Sequence, residues 1–346
     1  GMLYGKLLRS PHAHAVIKSV DTSAAEAHPG VYAVVTSADW PETSMKLTDL
    51  AEGSIHNLGF LSMNILARGK VLYKGHPVAA VAAVSPHVAE EAMAKIKVDY
   101  DVLKPVLTAE EGMKPDAPIL HERLAAVTSL ALRPGGLLDD DAESMRTNVA
   151  NQFEFSLGDL EQGFKDADII VEKETTTQAV HQGYIEPQAG VAHWQADGKL
   201  TIWSSSQGQF TVRDQTARYL GIPVSQVKAV PMEIGGGFGA KGIVYVEPIA
   251  ALLSRKSGRP VKVQLTRTEV FEATGPTSGT KIKVKLGATK DGKLVAAEAE
   301  LIYEAGAFPG SPVAAGIQCM MAHYDIPNAY LKAFDVVINR PKAAAY

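Results

Sequence analysis

The sequence predicts an α+β protein organised as two domains. The chain is 346 residues long, which at about 150 residues per domain leaves room for two or three. An apolar fraction of 46% can fill real cores, and a charged fraction of 21% is too low for a disordered tail protein. Val- and Ala-rich strand signals alternate with capped helical patterns up to residue 105, and strands set off by Gly and Pro dominate after residue 151.

Residues 3–9 read as a strand ended by Ser10-Pro11, and residues 14–20 alternate as a second. His12 and His14 alternate within this stretch, as if on one strand face. A short helical patch at 23–27 stops at Gly30, and residues 31–35 read as a buried strand. Residues 41–70 show no regular period. Residues 77–84 form a Val/Ala strand. Ser85-Pro86 then opens the clearest helix, with Ser as N-cap and Pro in the first turn. Val88, Ala89, Ala92, Met93 and Ile96 form its apolar face. Residues 97–102 return to strand, which closes a first domain at 1–105.

Residues 106–150 read as a solvated connector, punctuated by Pro115, Pro118, Pro134, Gly135 and Gly136 and carrying the run Asp139-Asp140-Asp141. A second domain occupies 151–346. Its strand candidates are 169–175, 191–194, 199–205, 227–234 and 261–266. Helices are expected at 211–220, ended by Gly221 and Pro223, and at 246–256, ended by Gly258 and Pro260. Asp291-Gly292 joins 281–289 to 294–303 as a hairpin, with Lys281, Lys283 and Lys285 on a wet face. Tyr303, Phe308 and Met320-Met321 read as core.

Composition excludes several classes of partner. The 34 Lys+Arg against 38 Asp+Glu give a net charge of −4, whereas phosphate-backbone binding wants a basic surplus, so no nucleic-acid partner is expected. No apolar run approaches the roughly 18–20 residues of a membrane span, and no basic region followed by an apolar stretch opens the chain. Cys319 is the only cysteine. That removes a disulfide within the chain and any all-cysteine metal or iron–sulfur site, and it fits a reducing, cytoplasmic setting.

The strongest local feature is Gly235-Gly236-Gly237-Phe238-Gly239, directly after a strand. Glycines there bring backbone N–H groups close to a ligand. A phosphate-binding Walker loop is excluded, because Gly239-Ala240-Lys241-Gly242 offers no hydroxyl for magnesium. A dinucleotide fold fits Gly235, Gly237 and Ala240 formally. It lacks the carboxylate expected after the next strand, which runs into Arg267, and Pro231 suits a central parallel strand poorly. The loop remains open as an amide-lined site for an anionic or oxo ligand, or as a tight structural turn. Gln207, in Trp203-Ser204-Ser205-Ser206-Gln207, offers a neutral donor or a helix cap. His181 and Glu186 suggest acid–base chemistry, a metal ligand pair or a hydrogen-bonded structural pair, but no third ligand stands at metal spacing. No G-x-S-x-G nucleophile motif occurs.

Taken together, these segments resemble the molybdenum-binding subunit of the xanthine oxidase, aldehyde oxidase and aerobic carbon monoxide dehydrogenase family of molybdenum hydroxylases. The resemblance rests on Gly5-Lys6-Leu7-Leu8-Arg9-Ser10-Pro11-His12-Ala13-His14 and on Tyr73-Lys74-Gly75-His76-Pro77-Val78. It continues through residues 181–187, 204–207, 235–241 and Arg267-Thr268-Glu269, in the family's order and across essentially the whole chain. It implies an α/β-hammerhead domain at 1–105, followed by the first part of a molybdopterin-binding α+β domain. The cofactor it implies is a molybdenum–pterin group, the cytosine dinucleotide form among its variants. The implied activity is hydroxylation of a carbon centre with oxygen from water, electrons leaving to iron–sulfur and FAD partners. Carried over by position, Gln207 matches the glutamine that hydrogen-bonds a molybdenum oxo ligand. Gly236, Gly237, Phe238 and Gly239 match the loop whose amides face the metal's ligands. Both act on the metal indirectly, with no side-chain bond to it.

The sequence also departs from family members. Gly242 stands where xanthine-oxidising members carry a substrate-facing glutamate, and residues 274–279 lack their substrate arginine, which disfavours purine hydroxylation. No catalytic residue is assigned, since the family's general-base glutamate and later pterin loops are expected beyond Tyr346. The resemblance thus implies an N-terminal portion of a catalytic subunit, either a fragment or one half of a split subunit. Such a chain alone is expected to hold no molybdopterin and to self-associate through uncovered apolar surface. A nucleotide-binding protein using residues 235–240 and a non-catalytic scaffold are the alternatives.

Overall fold

The computed structural model describes residues 1–45, 47–50, 54–122, 124, 127–128 and 147–344. The chain forms two compact units that do not follow chain order. One gathers Gly1–Pro105, His181–Gly275 and Asn339–Tyr346, and the other Val106–Val180 and Pro276–Ile338. Most of the expected connector, including Pro134-Gly135-Gly136 and Asp139-Asp140-Asp141, lies outside the described residues.

The first unit is organised by a seven-stranded mixed sheet. Its order is Val227–Pro231, Leu200–Ser204, Ala189–Trp194, Val261–Gln264, Leu3–Arg9, Pro77–Ala83 and Val31–Thr36. Leu3–Arg9 pairs in parallel with Val261–Gln264, so strands far apart in the sequence share one sheet. Pro77–Ala83 is buried along its whole length. Its alternate residues feed two cores: Ala80 and Ala82 face one, Ala79 and Val81 the other. The helix Glu247–Ser257 buries residues 247 to 254, sends Ile249 to Leu253 into the larger core, and ends at Gly258 in the left-handed conformation. Ser85 caps Pro86–Met93 as expected, its Oγ accepting from Val88 N–H.

The second unit carries a six-stranded sheet: Ile169–Thr177, Thr280–Ala288, Leu294–Gly306, Ala329–Val337, Val149–Leu157 and Val127–Thr128. The expected hairpin is present, with Gly292 at φ +88°. Ile282 and Val284 pack on a core of Phe153, Leu301, Leu331 and Ile317, opposite the lysine face. Phe308 is fully buried, and Tyr303, Met320 and Met321 are partly buried against that core.

Several elements differ from the sequence reading. Residues 41–70 contain the helix Leu58–Ile65, capped by Asn57 and buried on nearly every side, so it lacks an amphipathic period. Strand 227–234 ends at Pro231, on the sheet edge where a missing N–H is tolerated. Arg267–Ala273 is a helix, opened by a Thr266/Glu269 capping box. His12 and His14 lie in the turn between strands and share no strand face. His14 Nδ1 bonds to the Lys104 carbonyl, and His12 sits edge-on to Tyr100.

Candidate functional site

The strand Leu200–Ser204 and the edge strand Val227–Pro231 run in parallel, so their following segments leave the sheet at the same end. One leads to Gln207 and the helix Gln209–Tyr219, the other to the glycine loop. The two segments are tied together. Gln207 N–H donates to the Lys241 carbonyl at 3.0 Å. The Gln207 Oε1 accepts from Gly239 N–H at 2.8 Å and from Lys241 N–H at 3.2 Å. Both partners are N–H donors, so the atom facing them is the oxygen, and Nε2 is turned the other way. Gln207 is not a helix cap: that position is Gly208, with no side-chain cap bond.

The loop backbone is unusual. Phe238, at φ +50°, is the only non-glycine residue with positive φ among the described residues, flanked by Gly236 at +92° and Gly239 at +87°. For an aromatic residue this costs roughly 1–2 kcal/mol, so its neighbours must hold it there. Gly235 N–H is used by Glu186, Gly239 N–H by Gln207 and Ala240 N–H by the Gly237 carbonyl. The N–H groups of Gly236, Gly237 and Phe238 find no acceptor among the described residues. Consecutive amides of this kind form an anion-binding concavity. A Cβ on Gly237 would stand 2.6 Å from Gln207 Oε1, and one on Gly235 the same distance from Glu186 Cβ. Neither position has room for a side chain.

Glu186 faces Lys241, not His181. Its Oε2 accepts from Lys241 Nζ at 2.6 Å and from Gly235 N–H at 2.7 Å. The Lys241 side chain is 1% exposed and lies over the Tyr184 ring. Burial pushes the Glu186 carboxyl upward, but the lysine and the Gly235 amide outweigh it and hold it below the usual value. His181 accepts from Gly183 N–H through Nδ1 and reaches Thr274 Oγ1 through Nε2. Burial, helped by Arg267, lowers its pKa. Arg267 donates to the carbonyls of Tyr184 and Ile185, fixing the stretch of chain that presents Glu186. Ile185 is 89% exposed and Phe238 57%, an apolar rim beside the open amides. Lys241 and Arg267 carry no acid–base or metal-ligand signal of their own in the sequence, although both fall inside the motifs that carry the resemblance.

The loop does not enter a dinucleotide-binding βαβ unit. The next helix starts at Glu247, and the strand after it is separated from Val227–Pro231 by two others. Among the described residues no cluster of three or more His, Cys, Asp or Glu could hold a metal, and no helix is long and apolar enough to cross a membrane.

Residues 142–346 match the molybdopterin cofactor-binding domain, and residues 1–104 match the aldehyde oxidase and xanthine dehydrogenase a/b hammerhead domain. The chain belongs to the molybdenum hydroxylase family. This molybdenum hydroxylase chain is 31% identical to the carbon monoxide dehydrogenase large chain of Afipia carboxidovorans, over 98% of its own length and 41% of that protein's. It is 30% identical to the nicotinate dehydrogenase large molybdopterin subunit of Eubacterium barkeri, over 100% of its own length and 74% of that subunit's. The crystal structure of quinoline 2-oxidoreductase from Pseudomonas putida 86 superposes with a TM-score of 0.82 at 27% identity, covering 100% of this chain and 42% of that one. Against several other relatives, too, the chain spans only about two-fifths of their length or less.

Proposed function

We propose that residues 204–207 and 235–241 form one wall of a molybdenum–pterin site in an oxidative hydroxylase acting on a small aldehyde, N-heterocycle or related molecule. The reaction class is R–H + H2O → R–OH + 2 H⁺ + 2 e⁻. One observation carries the reading: four donors of these two tied segments find no acceptor among the described residues, and a Cβ on Gly237 would press on Gln207. The donors are the N–H groups of Gly236, Gly237 and Phe238, and the Nε2 of Gln207. Fixed neutral dipoles of this kind suit a group bearing anionic oxygen, because they stabilise its charge without reorganising.

When bound, the molybdenum–pterin group supplies the two-electron acceptor. Gln207 would donate from Nε2 toward one of its oxygen ligands. Gly236, Gly237, Phe238 and Gly239 would face the group through the backbone, Phe238 adding an apolar wall with its exposed ring. None of these supplies a side-chain bond to the metal. Gly242 leaves no carboxylate at the position following Lys241, which argues against purines as substrates. The cytosine dinucleotide is one form of the pterin that this reading admits. The remaining partners in this reading are the family's C-terminal half, iron–sulfur and FAD subunits, in the cytoplasm. The hammerhead segment 1–105, connector 106–150 and cofactor-binding segment 151–346 are the corresponding division of the chain.

The test is elemental and pterin analysis of this chain purified alone and co-produced with those partners. The co-produced complex is expected to carry stoichiometric molybdenum, Gln207→Ala to lower it, and the lone chain to carry none. Stoichiometric metal in the lone chain, or full loading of the Gln207→Ala complex, would overturn the reading.

A further inference from the structure

The open amides of residues 236–238 lie between two residues held by one carboxylate oxygen. Gly235, at the start of the loop, donates its N–H to Glu186 Oε2. Lys241, at its end, donates Nζ to the same oxygen. Lys241 also holds Gln207 on both sides through its backbone, accepting from Gln207 N–H and donating to Oε1. Glu186 N–H bonds back to the Gly235 carbonyl at 3.3 Å, doubling the attachment. The chain presenting Glu186 is in turn gripped by Arg267. A buried ammonium is costly unless paired, and a surface lysine would stabilise a turn as well with its head in water. Burial of this one against Tyr184 therefore asks for a purpose that solvent exposure would not serve.

We propose that Glu186 and Lys241 form a positioning clamp that closes the ends of residues 235–241 and thereby holds the open amides and the Gln207 donor in register. What those donors receive rests on the molybdenum-site reading; the clamp itself is a property of this chain and is measurable without the cofactor. Neither residue touches the reacting atoms. The pair acts through Gly235, Gly239 and Gln207.

Hydrogen exchange on the full chain tests it. Lys241→Met keeps the length and apolar packing of the stem and removes the pair; Lys241→Arg keeps a cation. In Lys241→Met, exchange of the bonded loop amides, Gly235, Gly239, Ala240 and residue 241, is expected to rise about tenfold or more. Exchange in the helix Glu247–Ser257 and the strand Ala189–Trp194 should change by less than about twofold. Lys241→Arg should keep most of the loop protection. Unchanged loop exchange in Lys241→Met, or an equal rise in loop, helix and strand, overturns the clamp. If Lys241→Met does not fold, Glu186→Gln/Lys241→Met, whose side chains are both neutral, gives the same local readout. Molybdenum content of the co-produced complex separates the two claims. A normal loop in Lys241→Met with lowered loading in Gln207→Ala refutes the clamp and keeps the site. A loosened loop in Lys241→Met with full loading in Gln207→Ala keeps the clamp and refutes the site.

Discussion

Arg9 and Glu269, 260 positions apart in sequence, meet at 2.9 Å between Nε and Oε1. Arg9 also donates to the Gly75 carbonyl at 2.9 Å, while the other Glu269 oxygen caps its own helix through Thr266 N–H. Three of the segments that carry the family resemblance are joined by this one guanidinium. A lysine cannot serve both acceptors with a planar fork. Both side chains are largely buried, at 12% and 17% exposure, so Arg9→Lys is expected to cost about 1–3 kcal/mol in urea unfolding. The nearby Lys74–Glu272 pair, with 65% and 36% exposure, should cost no more than about 0.5 kcal/mol when broken by Lys74→Ala. Equal losses in the two variants would contradict this ranking.

Gln207→Glu separates the two jobs of that side chain. A carboxylate still accepts from Gly239 and Lys241 N–H, and more strongly than an amide oxygen does. It has no donor to offer, and it places negative charge where an anionic ligand is expected. The substitution should leave loop exchange at the wild-type level while the co-produced complex loses molybdenum as far as in Gln207→Ala. Retention of full metal in Gln207→Glu would show that the Nε2 donor is dispensable.

Glycine at 237 and phenylalanine at 238 should respond in opposite directions. A methyl at 237 would press on Gln207 Oε1 at 2.6 Å and on Lys241 Cβ at 3.1 Å, and Gly237→Ala is expected to lose about 1–3 kcal/mol of stability. Phe238→Gly relieves a left-handed backbone of roughly 1 kcal/mol, and its ring, 57% exposed, gives up little burial. That variant should be as stable as the wild type or slightly more so. Thermal unfolding of both reads the contrast, and a clear drop in Phe238→Gly would place the ring in a packing role.

What the sequence discloses follows from how local each signal is. Ser85-Pro86 announces its helix because cap and first turn are neighbours in the chain. The strand Pro77–Ala83 is plain because both its faces are buried and small. The helix Leu58–Ile65 is hidden for the converse reason: burial on nearly all sides erases the period that marks a helix. The capping box Thr266/Glu269 is legible as a threonine followed three residues later by a glutamate, but the strand signal running into it overlaps its first residue. Gln207 and the glycine loop stand out as separate features. Their joining through Lys241 depends on parallel pairing of two strands and on an ion pair spanning 55 positions. No local pattern encodes those, and so the sequence sets Glu186 beside His181, its neighbour along the chain, and not beside its partner in space.

Two residues of the site should each give up a contribution to stability on acidification, His181 first and Glu186 at lower pH. Burial, with Arg267 nearby, lowers the His181 pKa below its ordinary 6.5. The unfolded chain therefore takes the proton first. The neutral imidazole's contribution is full above pH 6.5 and is lost as pH falls through the folded value. The geometry agrees, since protonation would turn Nδ1 from an acceptor of Gly183 N–H into a second donor. Glu186 is held below its ordinary 4.5 by Lys241 and Gly235 against the opposing effect of burial, so its contribution is full above pH 4.5 and lost as pH falls further. Urea unfolding of wild type and variants between pH 8 and pH 3 should show both losses. His181→Gln should reduce the upper loss alone and Lys241→Met should shrink the lower one alone. An upper loss that persists unchanged in His181→Gln would assign it to another group.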